Sequence, residues 1–317
     1  MLGPVTAGPS NLPVRPGDVL GGKYRLEHAL GEGGMGVVFV AEHADLRAHV
    51  AIKVLHPKRA TDEEIVRRFV REGRTAVRIR SEHVARVLDV GMHDASGQPL
   101  PYIVMELLEG EDLAHRIDTG GPVAVAQAVD LVLQTCEALA CAHALGVVHR
   151  DLKPSNLFLV EGPDGAPFVK VLDFGISKVT DQAPDSSRAV TTTSDVLGSP
   201  GYMSPEQMRA TRDVDARSDV WSLGMILWEM LVGAPMFAGA TFPEICAKVL
   251  AGDMVPARAG GAVHVPVELE AVIAKALALE PADRWPSVLA FAEALAPWIE
   301  GDAKPRLARI ANLSRAP

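Results

Sequence analysis

The sequence predicts an α+β chain in two lobes, a small antiparallel β-sheet lobe carrying one helix, followed by a larger and mainly helical lobe. Three observations predict it. β-Branched and aromatic runs with period-two alternation crowd the first third, at residues 24–30, 37–42, 49–55 and 102–106. Apolar stretches with helical periodicity fill the remainder, at 124–143, 220–231, 242–251, 267–279 and 288–298. The 317 residues are too many for one small core and enough for two lobes sharing a cleft.

Composition narrows the partners. A net charge of −9, from 31 basic and 40 acidic residues, argues against nucleic acid or an anionic membrane as the main partner. Cys136, Cys141 and Cys246 lack metal-ligand spacing and read as reduced residues of a cytoplasmic protein. No charged start followed by an apolar block, and no run of about 18 apolar residues, predicts a signal peptide or a membrane span. Residues 1–22, rich in proline and glycine, read as a flexible leader. Residues 301–317, with Lys304, Arg306, Arg309 and Arg315 against Asp302, read as a basic tail or the start of a linker.

The elements follow in order. Two strands, 24–30 and 37–42, flank Gly31-Glu32-Gly33-Gly34-Met35-Gly36. A dinucleotide fold would open a helix at the third glycine, whereas Val-Val-Phe-Val follows Gly36 and favours strand. A glycine loop between strands lets backbone amides approach phosphates, with Leu30 and Val38 covering a base. In strand 49–55, Ala51 and Lys53 share one face. Thr61 and Glu64 have the form of a capping box opening a helix to about residue 79. Ile65, Phe69, Ala76 and Ile79 make its apolar stripe, with Glu72 inside it. A carboxylate there needs a partner, and Lys53 is the candidate. Gly73 beside it, a mid-helix glycine, suggests a mobile helix. Strand 102–106 runs into a connector to Gly110, and the helix at 124–143 ends just before Gly146.

The densest chemistry comes next. Asp151, Lys153 and Asn156 put a carboxylate, an ammonium and a carboxamide on one short loop, able to take a hydroxyl proton, neutralise a phosphoryl oxygen and ligate a hard cation. A short strand, 169–172, leads into Asp173-Phe174-Gly175, and a polar stretch, 182–195, contains Thr191, Thr192, Thr193 and Ser194. Ser218-Asp219 reads as the cap of a helix that is apolar all round and belongs in the middle of a lobe.

From about Tyr24 to Trp298, the glycine loop, Val50-Ala51-Ile52-Lys53, His149-Arg150-Asp151, Asp173-Phe174-Gly175 and Ser204-Pro205-Glu206 resemble the ordered motifs of the eukaryotic-like (Hanks-type) serine/threonine protein kinases, in a bacterial style. The resemblance implies the bilobal protein kinase fold at residues 23–300, divided into 23–106 and 107–300. It implies transfer of the ATP γ-phosphoryl group to protein serine or threonine hydroxyls with Mg²⁺, Mn²⁺ being a second admissible ion. Lys153, two residues after the aspartate, fits the serine/threonine branch.

By the same resemblance, Asp151 is the catalytic base, Lys153 stabilises the transferred group, and Lys53 pairs with Glu72. Asn156 and Asp173 hold the metal. ATP is held by Leu30, Gly31, Glu32, Gly33, Gly34, Met35, Gly36, Val37, Val38, Ala51, Lys53, Glu106, Leu108, Asp112 and Phe158, with Met105 as gatekeeper. Phe174 packs under the helix that carries Glu72. Thr191 and Thr193 are the expected activation-loop phosphosites, received by Arg150 and Lys178. Ser199 stands where threonine is usual, and Ser204 where alanine is usual. Glu206 is expected to pair with Arg284, and Asp219 to hold the catalytic loop's backbone. Ser155 before Asn156 predicts little dependence on arginine upstream of the target hydroxyl. Two other readings are disfavoured: a pseudokinase-type nucleotide-binding scaffold, because Lys53, Glu72, Asp151, Asn156 and Asp173 are all present, and a small-molecule phosphotransferase, because of Lys153 and the long segment ending in Ser204-Pro205-Glu206. Homodimerisation is open.

Overall fold

The structure, a computed structural model, describes residues 13–95, 97–174, 200–209, 214–260 and 264–315. The chain divides into two compact units, Met1–Arg80 with Ala85–Gly110, and Ser81–Val84 with Glu111–Pro317.

The first unit is built on a sheet of six antiparallel strands in the order β1-β2-β3-β4-β6-β5: β1 (Val19–Leu20), β2 (Tyr24–Gly33), β3 (Gly36–His43), β4 (His49–Leu55), β5 (Val87–Ala95) and β6 (Gln98–Glu106). Alternation sorts the side chains. Val37, Phe39, Ile52, Val54, Tyr102 and Val104 share one buried face, and Val38, Ala51, Lys53 and Ile103 point to the other. The sheet curls around the first set. Tyr24 of β2 meets the ring of Tyr102 in β6 edge-on at 6.3 Å and donates to Asp89 of β5 at 3.1 Å, although β2 is neighbour to neither strand. Burial, with the Asp89 charge and hydrogen bond added, pushes the Tyr24 phenol up to about 12.

A short helix, α1 (Pro57–Ala60), precedes α2 (Glu63–Ala76). The cap of α2 is Asp62, whose carboxylate accepts from the amides of Glu64 and Ile65, while the Thr61 hydroxyl bonds the Lys58 carbonyl. The capping-box expectation is therefore one residue off, and the helix ends at Ala76 rather than near Ile79. Gly73 has a packing reason. A β-carbon there would lie 2.9 Å from Val90 Cγ2 and 3.0 Å from Ile103 Cδ1, so the glycine lets α2 lie close on β5 and β6.

The flexible-leader expectation does not hold for residues 13–22. Val14 is 2% exposed and Leu20 is fully buried. β1 adds to the edge of β2, and Gly17 and Asp18 bond the backbone of Leu26 on either side. Two apolar residues suffice to anchor a proline- and glycine-rich strip once a strand edge is there to receive it. Residues 1–12 lie outside the described residues.

The second unit holds a three-stranded sheet, β7 (Glu111–Asp112), β8 (Leu157–Glu161) and β9 (Pro167–Val171), and nine helices among the described residues. These are α3 (Leu113–Gly120), α4 (Val125–Ala144), α5 (Pro205–Arg209), α6 (Ala216–Val232), α7 (Phe242–Ala251), α8 (Ala257–Gly260), α9 (Val267–Ala276), α10 (Val288–Leu295) and α11 (Lys304–Leu313). Helices α4 and α6 are its centre, with Leu133, Leu139, Trp221, Leu223 and Ile226 at or near zero exposure. Each such large apolar side chain contributes about 2–3 kcal/mol on burial. Among the described residues only α4 is long and apolar enough to cross a membrane, and 72% of its apolar window is buried inside the fold.

Asp215, not Ser218 or Asp219, caps α6, accepting from the Arg217 amide at 2.8 Å. Ser218 and Asp219 fall in the first turn and turn inward for other work. Gly233, at φ +81°, closes the helix in the left-handed conformation and donates to the Glu229 carbonyl at 2.7 Å.

The expected tail is instead a docked helix. In α11, Ile310 is fully buried, Arg306 bonds the Asp130 carboxylate and reaches Glu137 at 3.3 Å, and Arg309 donates to Glu137 at 2.9 and 3.2 Å. The arginines that read as a solvated basic run serve two carboxylates of α4.

Candidate active site

The chemistry-bearing loop lies between α4 and β8, and its backbone is held by a buried carboxylate. Asp219 accepts from the amides of His149 at 2.9 Å and Arg150 at 3.0 Å, and bonds His143 Nε2 at 2.7 Å. Burial alone would raise its pKa. The His143 bond and charge, with the His149 amide bond, outweigh burial and hold Asp219 below the usual carboxylate value.

His149 is fully buried and needs one tautomer. Nε2 lies 2.9 Å from the Leu172 carbonyl and the Asp151 amide lies 3.3 Å from Nδ1, so Nε2–H donates and Nδ1 accepts. Phe174 packs its ring on the His149 ring at 4.8 Å. Two non-glycine residues here have positive φ, Arg150 at +64° and Asp173 at +54°. Each such residue costs on the order of 1–3 kcal/mol and persists where its surroundings dictate it.

Two groups converge on Asp151. Lys153 Nζ lies 3.2 Å from Oδ2, and Asn156 Nδ2 donates to the Asp151 carbonyl at 2.7 Å while lying 3.4 Å from Oδ2. The Asn156 amide is thereby oriented, nitrogen toward Asp151. The Leu172 amide bonds the Asn156 carbonyl at 2.9 Å, tying the chain just before Asp173 to this loop. Phe158 sits on β8 opposite Asp112, whose carboxylate caps α3 through the His115 amide at 2.9 Å. Leu108 is half-buried in the connector after β6.

In the first unit, Gly33 pairs with Gly36, so β2 and β3 run on through most of the glycine loop and leave Gly34 and Met35 as its turn. Gly36 is a glycine because a β-carbon would run into the Val54 carbonyl of β4. At Gly31 and Gly33 a β-carbon would meet nothing within 4 Å, and neither has positive φ. The loop is tied to the start of α1, since the Met35 carbonyl accepts from the His56 amide at 3.0 Å and Glu32 pairs with His56 at 3.3 Å. Lys53, 8% exposed, lies opposite Val38 in β3 and Ile103 in β6. Ile103 is the side chain against which Gly73 packs, so Lys53 projects from the sheet face that carries α2 and its half-buried Glu72. Leu30 and Val38 are half-buried, Val37 and Ala51 buried, and Met105 lies opposite Ala51. The Glu106 amide is engaged by the Arg86 carbonyl at 3.0 Å, and its carboxylate accepts from the Arg86 amide at 2.9 Å.

A second buried ion pair stands at the start of α5. Arg284 donates to Glu206 from both terminal nitrogens, and Ser218 adds its hydroxyl to the same carboxylate. Burial raises the Glu206 pKa, and the Arg284 and Ser218 bonds with the Arg284 charge more than reverse it, leaving a net depression. Tyr202 donates to Glu229 at 2.5 Å, and burial pushes the Glu229 carboxyl above its usual value despite that bond.

Sequence reasoning missed three of these residues. His143 and Glu229 read only as parts of helices. Gln207, which donates from Nε2 to the Arg150 carbonyl at 2.7 Å and accepts from Ser204, left one faint signal, the serine at 204 where alanine is usual. Gly175, Lys178, Thr191, Thr193 and Ser199 lie outside the described residues.

A family model described as "Protein kinase domain" matches residues 24–295. Over 277 residues, 86% of this chain, the sequence is 40% identical to the serine/threonine-protein kinase Pkn1 of Myxococcus xanthus, and over 84% of the chain it is 39% identical to PknB of Mycolicibacterium smegmatis. The chain spans about two fifths of the length of these curated relatives, 38% and 41%. The crystal structure of the PknI kinase domain of Mycobacterium tuberculosis superposes with a TM-score of 0.69 at 28% identity, covering 90% of this chain and 98% of that one.

Proposed function

The chain belongs to the protein kinase domain family, and on that premise we propose that it is a serine/threonine protein kinase, moving the γ-phosphoryl group of ATP to serine or threonine hydroxyls of proteins in the cytoplasm. The observation that carries the reading is the convergence of Lys153 and Asn156 on the Asp151 carboxylate.

Family membership brings ATP and a divalent cation with it. The donor set supports a hard ion. The Asn156 amide nitrogen is engaged by Asp151, so its Oδ1 is the atom offered outward, and Asp173 supplies a carboxylate. We take Mg²⁺ as that ion, with Mn²⁺ second. Bound there, the cation neutralises charge on the phosphate oxygens. Asp151 orients the attacking hydroxyl and takes its proton as the new O–P bond forms and ADP departs. Lys153 stabilises charge on the phosphoryl group in transit. Lys53, steadied by Glu72, holds the α- and β-phosphates, and the open space at Gly31 and Gly33 suits a close approach of backbone amides to phosphate. Phosphorylation at Thr191 and Thr193, received by Arg150 and Lys178, is part of the same reading.

The test is incubation of wild type, Asp151→Asn and Lys53→Met with γ-labelled ATP, Mg²⁺ and a generic protein substrate. Wild type transfers label to protein, and each variant loses on the order of 10³-fold. Nucleotide binding with no transfer in any preparation would move the assignment to a binding scaffold. Label confined to small metabolites would move it to a small-molecule phosphotransferase.

A further inference from the structure

We infer that Gln207 is a positioning residue for Asp151, coupling α5 to the peptide that carries the catalytic carboxylate; the inference rests on the phosphotransfer reading above. Arg150 holds φ at +64°, a region unfavourable to any side chain, and both its backbone polar groups are held from elsewhere. Its amide donates to Asp219 of α6, and its carbonyl accepts from Gln207 Nε2 of α5 at 2.7 Å. That carbonyl belongs to the peptide plane leading into Asp151. Fixing both sides of Arg150 fixes the direction in which the Asp151 carboxylate sets out.

The plainer role for Gln207 is to cap α5. Ser204-Pro205-Glu206-Gln207 has the form of a capping box, and Gln207 Oε1 accepts from Ser204 N at 3.1 Å and from Ser204 Oγ at 3.2 Å. This accounts for the oxygen half of the amide and for the buried hydroxyl where alanine is usual. It does not require the nitrogen half, which reaches a carbonyl 57 residues away in sequence. The two Ser204 donors also fix the amide's orientation, since a flip would set an NH₂ against an N–H. Nε2 is therefore directed at Arg150 by the same contacts that hold the cap.

Glutamate serves a capping box as well as glutamine but carries no hydrogen for Arg150, so Gln207→Glu separates the two roles. With Mg²⁺ and ATP, we expect Gln207→Glu to lower kcat roughly 10- to 100-fold, with KM for ATP and Tm close to wild type. Hydrogen exchange of the amides at 149–153 should quicken by about tenfold as their restraint loosens. Should Gln207→Glu fold poorly, Gln207→Ala and Ser204→Ala make the same comparison, kcat falling in the first and holding within about twofold in the second. Wild-type kcat together with wild-type exchange in Gln207→Glu would overturn the inference and leave Gln207 a helix cap. If the wild type shows no transfer, the phosphotransfer reading fails by itself, and the exchange measurement still decides whether Gln207 restrains the loop.

Discussion

Arg284 donates to both carboxylate oxygens of Glu206 at 2.7 Å across 78 residues of chain. Its remaining hydrogens reach the carbonyls of Ala278, Leu279 and Arg217, which uses all five, and its guanidinium lies 5.0 Å over the Trp221 ring. Lysine has three donors on a point charge and cannot match that fork. Arg284→Lys should cost about 3 kcal/mol, a fall in Tm of roughly 6–12 °C by differential scanning calorimetry. A shift under about 2 °C would show the fork to be dispensable.

The same pair sets an acid limit. Glu206 and Asp219 both have folded pKa values below the ordinary carboxylate value. For a depressed pKa, the stabilisation is fully present above the unfolded value of about 4 and is lost as pH falls through the lower folded value. The Tm gap between wild type and Glu206→Gln should be widest above about pH 5 and close toward pH 3. A constant gap over that range would contradict the depressed value.

The glycine loop should respond differently at its two ends. Gly36→Ala drives a methyl group into the Val54 carbonyl and should destabilise the first unit by about 3 kcal/mol. Gly31→Ala meets open space and should leave Tm unchanged, while KM for ATP rises roughly five- to tenfold if phosphates come close to that backbone. Equal effects on Tm would refute the distinction.

Removal of residues 302–317 would strip Glu137, 2% exposed, of Arg306 and Arg309. The truncated chain should lose about 2–3 kcal/mol, and adding Glu137→Gln should recover part of it by removing the stranded charge. No recovery would mean that the lost packing of Ile310, not the charge, is what matters.

What the sequence made legible was local. The strand at 49–55 and the helix at 125–144 are written in the period of their own apolar residues, and Asp151, Lys153 and Asn156 are close enough in sequence to be read as one site. Adjacent signals blurred the caps, since Thr61 stands beside Asp62, and Ser218 and Asp219 follow Asp215 by three and four residues. What stayed hidden depends on partners far along the chain. Nothing near Val14 or Leu20 announces the strand edge that receives them, and nothing near Arg306 or Arg309 announces Asp130 and Glu137. Gln207 is the sharpest case, because half of its amide obeys a local rule and the other half answers to Arg150.

Residues 81–84 belong to the second unit although the first unit's chain runs on both sides of them. His83 stacks on Phe168 at 4.2 Å and bonds the carbonyl of Val169, 86 residues downstream. At ribosomal speeds of about 5–20 residues per second, that partner emerges roughly 4 to 17 seconds later. Every strand pairing of the first unit's sheet lies at or before β6, so all of its strands leave the ribosome before Val169 does. Birth order is thus built into the topology: the strands of the first unit are all synthesised before β9, and the short segment 81–84 is made ahead of the strand that it contacts.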